Sequence, residues 1–378
     1  MTAFLRTVDS YLQGARTLPQ RYYLDPDVLA AEWTRLFGER WLCVGRADQV
    51  AKPGSYIVAN IGVESVIVVR DRKTQRLHAH FNVCRHRGTR ICMDAAGTFG
   101  ETIQCPYHAW TYALDGSLLR APMMQEAEDF ERERYALVPA DVAEWEGFVF
   151  LNLARDPEPF ADAFGPVLQR FSRYNISRLT TVRRIQYDVQ ANWKLILQNY
   201  NECLHCPTIH PMLSKVLPYT SGANDLIDGP FLGGYMEIAQ PNESATVSGR
   251  TCGPLVGDLS GDDLHRAYYY SLFPNMMLSM HPDYVVSYMV WPVHPTASHI
   301  VSDWLFHPDA VAHPDFDPTG AIEFWDVTNR QDWAICEQSQ LGVRSRAYTP
   351  GPYSPRESIP AAWDRTYLKA MGSDFANR

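Results

Sequence analysis

The chain of 378 residues is short of basic charge: 34 Lys and Arg stand against 43 Asp and Glu, a formal net charge of −9. A phosphate-binding surface needs a basic balance or a basic stripe, and neither is visible, which argues against nucleic acid as a partner. No apolar run approaches the ~20 residues needed to cross a bilayer. Met1 to Gln20 lacks the charged start, apolar middle and small-residue cleavage site of a secretory signal. The expectation is a cytoplasmic protein with no membrane segment. Internal repeats and low-complexity tracts are absent too. Eight cysteines are too few, in a chain this long, for a disulfide framework, so their clustering points to metal binding or chemistry. What is present is ordinary globular composition, 46% hydrophobic and 20% charged, with length for about two domains.

Residues 25–41 read as an amphipathic helix that Asp25 caps and Pro26 opens. From Ser55 to Asp71 apolar and polar residues alternate, which predicts two strands joined near Ile61-Gly62. Short strands continue to Gly147–Leu153, so 41–153 is a β-rich unit. Pro157 and Pro159 in ARDPEPF break the pattern and set a domain boundary. Beyond it, 160–174 and 191–206 read as helices, 264–306 as several strands, and 320–341 as one long helix. The second domain, taking in residues 1–40 and 154–378, is therefore expected to be α+β.

Two short motifs carry chemistry. CRHRG at 84–88 and CPYHAW at 105–110 supply Cys84, His86, Cys105 and His108. Zinc takes Cys₂His₂ sets, but usually pairs Cys with Cys and His with His. Here each loop gives one of each, which suits a [2Fe-2S] cluster with two thiolates on one iron and two imidazoles on the other. The paired motif resembles the Rieske domain. Cys92, between the loops, reads as a buried small hydrophobe.

The second motif is NYNECLHCPTIHP at 199–211. His205 and His210 are five residues apart, an offset that splays two rings on an unbroken helix; Pro207 disturbs the helix and lets the second ring come round. Two His and one carboxylate leave iron with open positions for dioxygen and substrate. The carboxylate must come from elsewhere, and the late helix offers Asp326 and Asp332. This segment and that helix resemble the catalytic domain of Rieske oxygenase α subunits. The resemblance implies that His205, His210 and Asp332 bind ferrous iron, with Asp326 as the alternative and Glu337 outside the ligand set. It also implies that Glu202 links His108 of one subunit to His205 of the next; the blander role for Glu202 is to orient His205. Cys203 and Cys206 could form a redox pair or a zinc knuckle, but beside a Rieske motif they read as packing residues.

The resemblance runs from about residue 20 to 350. It implies an α+β fold: a β-rich Rieske domain plus a catalytic domain of helix-grip type, with an antiparallel sheet and a long late helix. It further implies a homotrimeric mono- or dioxygenase that uses O2. Electrons come from NAD(P)H through a separate flavin/iron–sulfur reductase, with or without a ferredoxin. The chain itself has no G-x-G-x-x-G fingerprint. Its wording is closest to glycine betaine, carnitine and stachydrine demethylases, which implies N-demethylation of a betaine-type small molecule; ring hydroxylation or cis-dihydroxylation of an aromatic is the alternative. Tyr268, Tyr269, Tyr270, Phe273, Tyr284, Tyr288, Trp291 and Trp304 could cage a methylated ammonium, or could simply fill a core.

Overall fold

Apolar, largely β-branched runs in SYIVANI and ESVIVVR on either side of Gly62 predict a hairpin, and the strands Ser55–Ile61 and Glu64–Arg70 form it. Gly62 takes φ 61° in the two-residue turn, a conformation that a two-residue hairpin demands and Gly adopts without cost. This computed structural model describes residues 4–376. The chain divides into two units, one of residues 37–163 and the other of the residues on either side.

The first unit is built on antiparallel strands. A seven-stranded sheet runs in the order Leu42–Arg46, Phe148–Asn152, Pro139–Trp145, Leu77–Phe81, Glu64–Arg70, Ser55–Ile61, Ala96–Thr98. A three-stranded sheet follows as Thr102–Gln104, Thr111–Ala113, Leu118–Arg120. Ile67, Val69, Ile103, Trp110, Tyr112 and Leu137 share one buried cluster with Cys84 and Cys105, so the core itself anchors both motif loops.

The second unit carries an eight-stranded antiparallel sheet. Its order is Leu5–Arg6, Ala223–Leu226, Phe231–Glu237, Arg266–Leu272, Met276–Met280, Tyr284–His294, Ala297–Phe306, Thr180–Val189. Gly233 and Gly234 let the third strand lie close to its neighbours: a Cβ at Gly233 would sit 2.1 Å from the Tyr269 carbonyl, and one at Gly234 2.0 Å from that of Ala223. The helices differ in part from the sequence reading. Helix α1 is Pro26–Glu32, capped by Asp25 as expected, but it widens into a π turn at Trp33–Phe37. The predicted helix at 160–174 stops at Ala163, because Gly165 and Pro166 disfavour its continuation. The helix expected over 191–206 is shorter: α2, Trp193–Tyr200, is capped by Asn192, and α3, Cys206–Ile209, starts afresh. The long helix is found as α4, Thr319–Val343, and α5 is Ser358–Met371.

Antiparallel partners point to the same side, so register divides the sheet aromatics. Tyr269, Tyr284, Tyr288 and Trp304 share the face of Tyr187, whose hydroxyl meets Asp326 of α4. Tyr268, Tyr270 and Trp291 take the other face, and Phe273 packs by Trp363 of α5. On α4 the buried residues Trp325, Asn329, Trp333, Cys336 and Gln340 recur at helical spacing and form its inward stripe.

Candidate metal centres

The break between α2 and α3 makes the first site. After Tyr200 the chain turns through 201–205, and Pro207 stands in the first turn of α3, where its missing N–H costs nothing. Pro207 therefore opens a new helix rather than distorting an old one, a correction to the sequence reading. His205 and His210 flank this one-turn helix, with ring centroids 5.1 Å apart. Asp332 of α4 meets both: its Oδ1 lies 2.9 Å from His210 Nε2 and 3.2 Å from His205 Nε2. The other ring nitrogens are held from behind, His205 Nδ1 by Glu202 Oε1 at 2.5 Å and His210 Nδ1 by Gln331 Oε1 at 2.8 Å.

That pattern has a chemical consequence. Glu202 and the Gln331 carbonyl both accept, so each Nδ1 donates and each Nε2 is left facing the shared Asp332 oxygen. Three atoms that can each donate a lone pair converge, an arrangement that a proton or a metal cation can hold together. Without a cation, desolvation of the His205 ring works against charge, yet Asp332 and Glu202 outweigh it and push its pKa up to about 10. A metal ion bound between these atoms would take the place of that proton. Asp326 is engaged elsewhere, by the Tyr187 hydroxyl at 2.7 Å and by Arg330 at 3.0 Å. Glu337 accepts from the Gln190 backbone. Cys206 Sγ also lies near the two His, but a disulfide ties it to Cys203. The pair is thus not the packing pair expected: the turn brings their Cα atoms to 4.9 Å, within bridging range.

The second site is made by two loops with one hydrogen-bond pattern. Cys84 N bonds to Thr89 O and Gly88 N to Cys84 O; Cys105 N bonds to Trp110 O and Ala109 N to Cys105 O. Gly88 (φ 75°) and Ala109 (φ 55°) close the matching turns in the left-handed region. The loops therefore present Cys84 with His86 and Cys105 with His108 as a pair. Both thiols are buried, and the two imidazole centroids are 4.7 Å apart. His86 Nδ1 is buried and finds no hydrogen-bond partner among the described residues, as an iron-binding nitrogen would. Trp110 stacks flat on His86 at 4.9 Å, and the Tyr112 hydroxyl lies 3.3 Å from Cys84 Sγ. Cys92 is buried, as expected of a small hydrophobe.

Residues 40–136 match the model of the Rieske [2Fe-2S] domain, and residues 176–373 that of the ring hydroxylating alpha subunit (catalytic domain). The chain belongs to the ring-hydroxylating α-subunit family. It is similar to the glycine betaine monooxygenase oxygenase subunit of Chromohalobacter salexigens, 33% identical over 90% of this chain and 82% of the relative. The Pseudomonas aeruginosa subunit of the same name is 31% identical over 89% of this chain and 85% of its own. A crystal structure of the quaternary ammonium Rieske monooxygenase CntA with L-carnitine shares the fold, with TM-score 0.77, 24% identity and 97% of both chains covered.

As a ring-hydroxylating α subunit, the protein is a Rieske non-haem iron oxygenase with a [2Fe-2S] cluster and a mononuclear iron. Sequence reasoning missed three groups that shape these centres. Trp110 lay inside the quoted CPYHAW motif and was legible as a neighbour of the second loop. Tyr112 and Gln331 gave no signal, because their roles depend on contacts that no local pattern encodes.

Proposed function

We propose that the protein is the terminal oxygenase of a multicomponent system that removes an N-methyl group from a quaternary ammonium compound of betaine type. Its likeness, over about nine-tenths of the chain, to two glycine betaine monooxygenase oxygenase subunits carries this reading. Cys84, His86, Cys105 and His108, in unit 37–163, hold the cluster; His205, His210 and Asp332 hold the iron. Bound there, the iron supplies oxygen activation and the cluster supplies stored electrons, one at a time. Asp332 brings the negative charge that favours a ferrous ion, while Glu202 and Gln331 keep both rings in the Nδ1–H form and aimed. The Tyr112 hydroxyl donates to the Cys84 thiolate, and Trp110 holds the His86 plane.

The net reaction consumes the methylated ammonium, O2, NAD(P)H and a proton, and yields the N-hydroxymethyl compound, water and NAD(P)+. The hydroxymethyl compound then loses formaldehyde and a proton, leaving the tertiary amine. A separate flavin/iron–sulfur reductase delivers the electrons. A homotrimer, in which Glu202 joins His205 to the next subunit's cluster ligand, completes the path.

The test is purified protein with a surrogate reductase, NADH and a panel of betaines and aromatics. Formaldehyde released in step with NADH consumption supports the reading. A cis-diol from an aromatic substrate, with no formaldehyde from any betaine, overturns it.

A further inference from the structure

His281 stands in the turn between the strands Met276–Met280 and Tyr284–His294. It is 1% exposed, and neither ring nitrogen has a hydrogen-bond partner among the described residues. A buried imidazole with both nitrogens idle is a rare arrangement that asks for a missing polar partner. Burial alone pushes its pKa down to about 3, so the ring is neutral and keeps one N–H donor. It stacks on Tyr284 (4.4 Å, 26°) and lies 5.3 Å from the Trp325 ring. Those two neighbours are already satisfied: Trp325 Nε1 donates to the Tyr284 hydroxyl at 2.8 Å, and that hydroxyl donates to the Ala245 carbonyl. Of the three, His281 alone has polar capacity left over.

Its position relates it to the iron ligands. Trp325 precedes Asp332 by seven residues on α4, two turns along nearly the same stripe, or about 10 Å along the axis. Between them Asn329 meets the Tyr288 hydroxyl at 3.3 Å. Trp325, Asn329 with Tyr288, and Asp332 thus succeed one another along the helix, with His281 at the end away from Asp332.

We infer that His281 is a specificity-determining residue that donates a hydrogen bond to the carboxylate of a short zwitterion whose methylated nitrogen points toward Asp332. The aromatic face of Tyr288, between Trp325 and Asp332, suits the cationic end, and an N–H sealed from water suits the anionic end. This inference rests on the betaine reading above.

The test compares glycine betaine with choline, which has the same trimethylammonium group but a hydroxyl in place of the carboxylate. Dissociation constants are measured by calorimetry on intact wild-type protein and on His281→Phe, His281→Leu and His281→Asn. Loss of the donor in Phe or Leu weakens glycine betaine by about 10- to 100-fold and choline far less. Asn, which keeps an N–H, recovers most of the loss. Leu makes the same deletion without a second ring if Phe does not fold, and the Rieske spectrum reports integrity. Unchanged glycine betaine binding in Phe and Leu overturns the role of His281, as does an equal weakening of both ligands. Wild-type protein that binds neither glycine betaine nor any other betaine overturns the substrate reading itself, and this inference with it.

Discussion

Single side chains shape the two candidate metal centres, and each can be tested by deleting one atom group. Asp332 supplies the oxygen on which both Nε2 atoms converge. Asp332→Ala is expected to weaken mononuclear iron binding by ~100-fold or more, since even residues behind metal ligands are worth 10–100-fold. The cluster spectrum should persist. Iron analysis would then fall from three per chain toward two, and a variant that keeps three removes Asp332 from the ligand set. Tyr112 sits at the other centre, 3.3 Å from Cys84 Sγ. A hydrogen bond from its hydroxyl to a cluster-bound Cys84 would favour the more negative, reduced cluster. Tyr112→Phe should therefore lower the reduction potential by about 60 mV, the equivalent of ~1.4 kcal/mol for one electron. A redox titration followed by electron paramagnetic resonance checks this, and an unchanged potential rules out the bond to sulfur.

Elements explain why some of this was readable and some was not. The Ser55–Arg70 hairpin and α4 were legible because each carries a clear signal, short β-branched runs around Gly62 in the first and a helical stripe in the second. Both motif loops were legible because ligand chemistry demands specific residue types. The run at 160–174 misled because Gly165-Pro166 was outvoted by apolar spacing, and the 191–206 run because a disulfide-closed turn looks helical in sequence. The anchoring of α2 was invisible as well. Lys194 is wholly buried against Glu32 of α1 at 2.5 Å, and Glu32 also accepts from Trp193 Nε1 and from Tyr367 of α5. Four residues from three distant stretches of the chain so tie three helices together. Lys194→Met leaves the Glu32 charge uncompensated and should cost about 3–5 kcal/mol in urea unfolding. Glu32→Gln added to it should recover part of that loss, because the neutral amide needs no counter-ion. If the double variant is no more stable than the single one, the pair contributes packing rather than charge compensation.

At the scale of the whole molecule, the balance of buried carboxyls sets how stability responds to pH. Asp364 accepts from Gln198 at 2.6 Å and from Tyr353 at 2.7 Å, yet desolvation prevails and pushes its pKa up to about 7. Burial likewise lifts Asp283, bonded to Ser244 and the Cys252 N–H, to about 6. Both pKa values are raised above the unfolded value near 4. Between pH 4 and 7 these two carboxyls therefore hold more protons in the folded chain than in the unfolded one. The stabilising contribution of these groups is complete below pH 4 and is lost as pH rises through 6 and 7. Asp332 is shifted the opposite way, so its contribution fades only at more acid pH and leaves this window alone. All other groups are common to the wild type and a single variant, so their effects cancel in a comparison. The informative quantity is the difference between wild type and Asp364→Asn across pH 5 to 7.5. Asparagine has no proton to lose, so the wild type should lose its advantage over the variant with a limiting slope of about 1.4 kcal/mol per pH unit, levelling off above pH 7. Parallel curves of thermal midpoint against pH would mean that Asp364 is ionised in the folded protein, with Gln198 and Tyr353 stabilising a charge rather than a neutral acid.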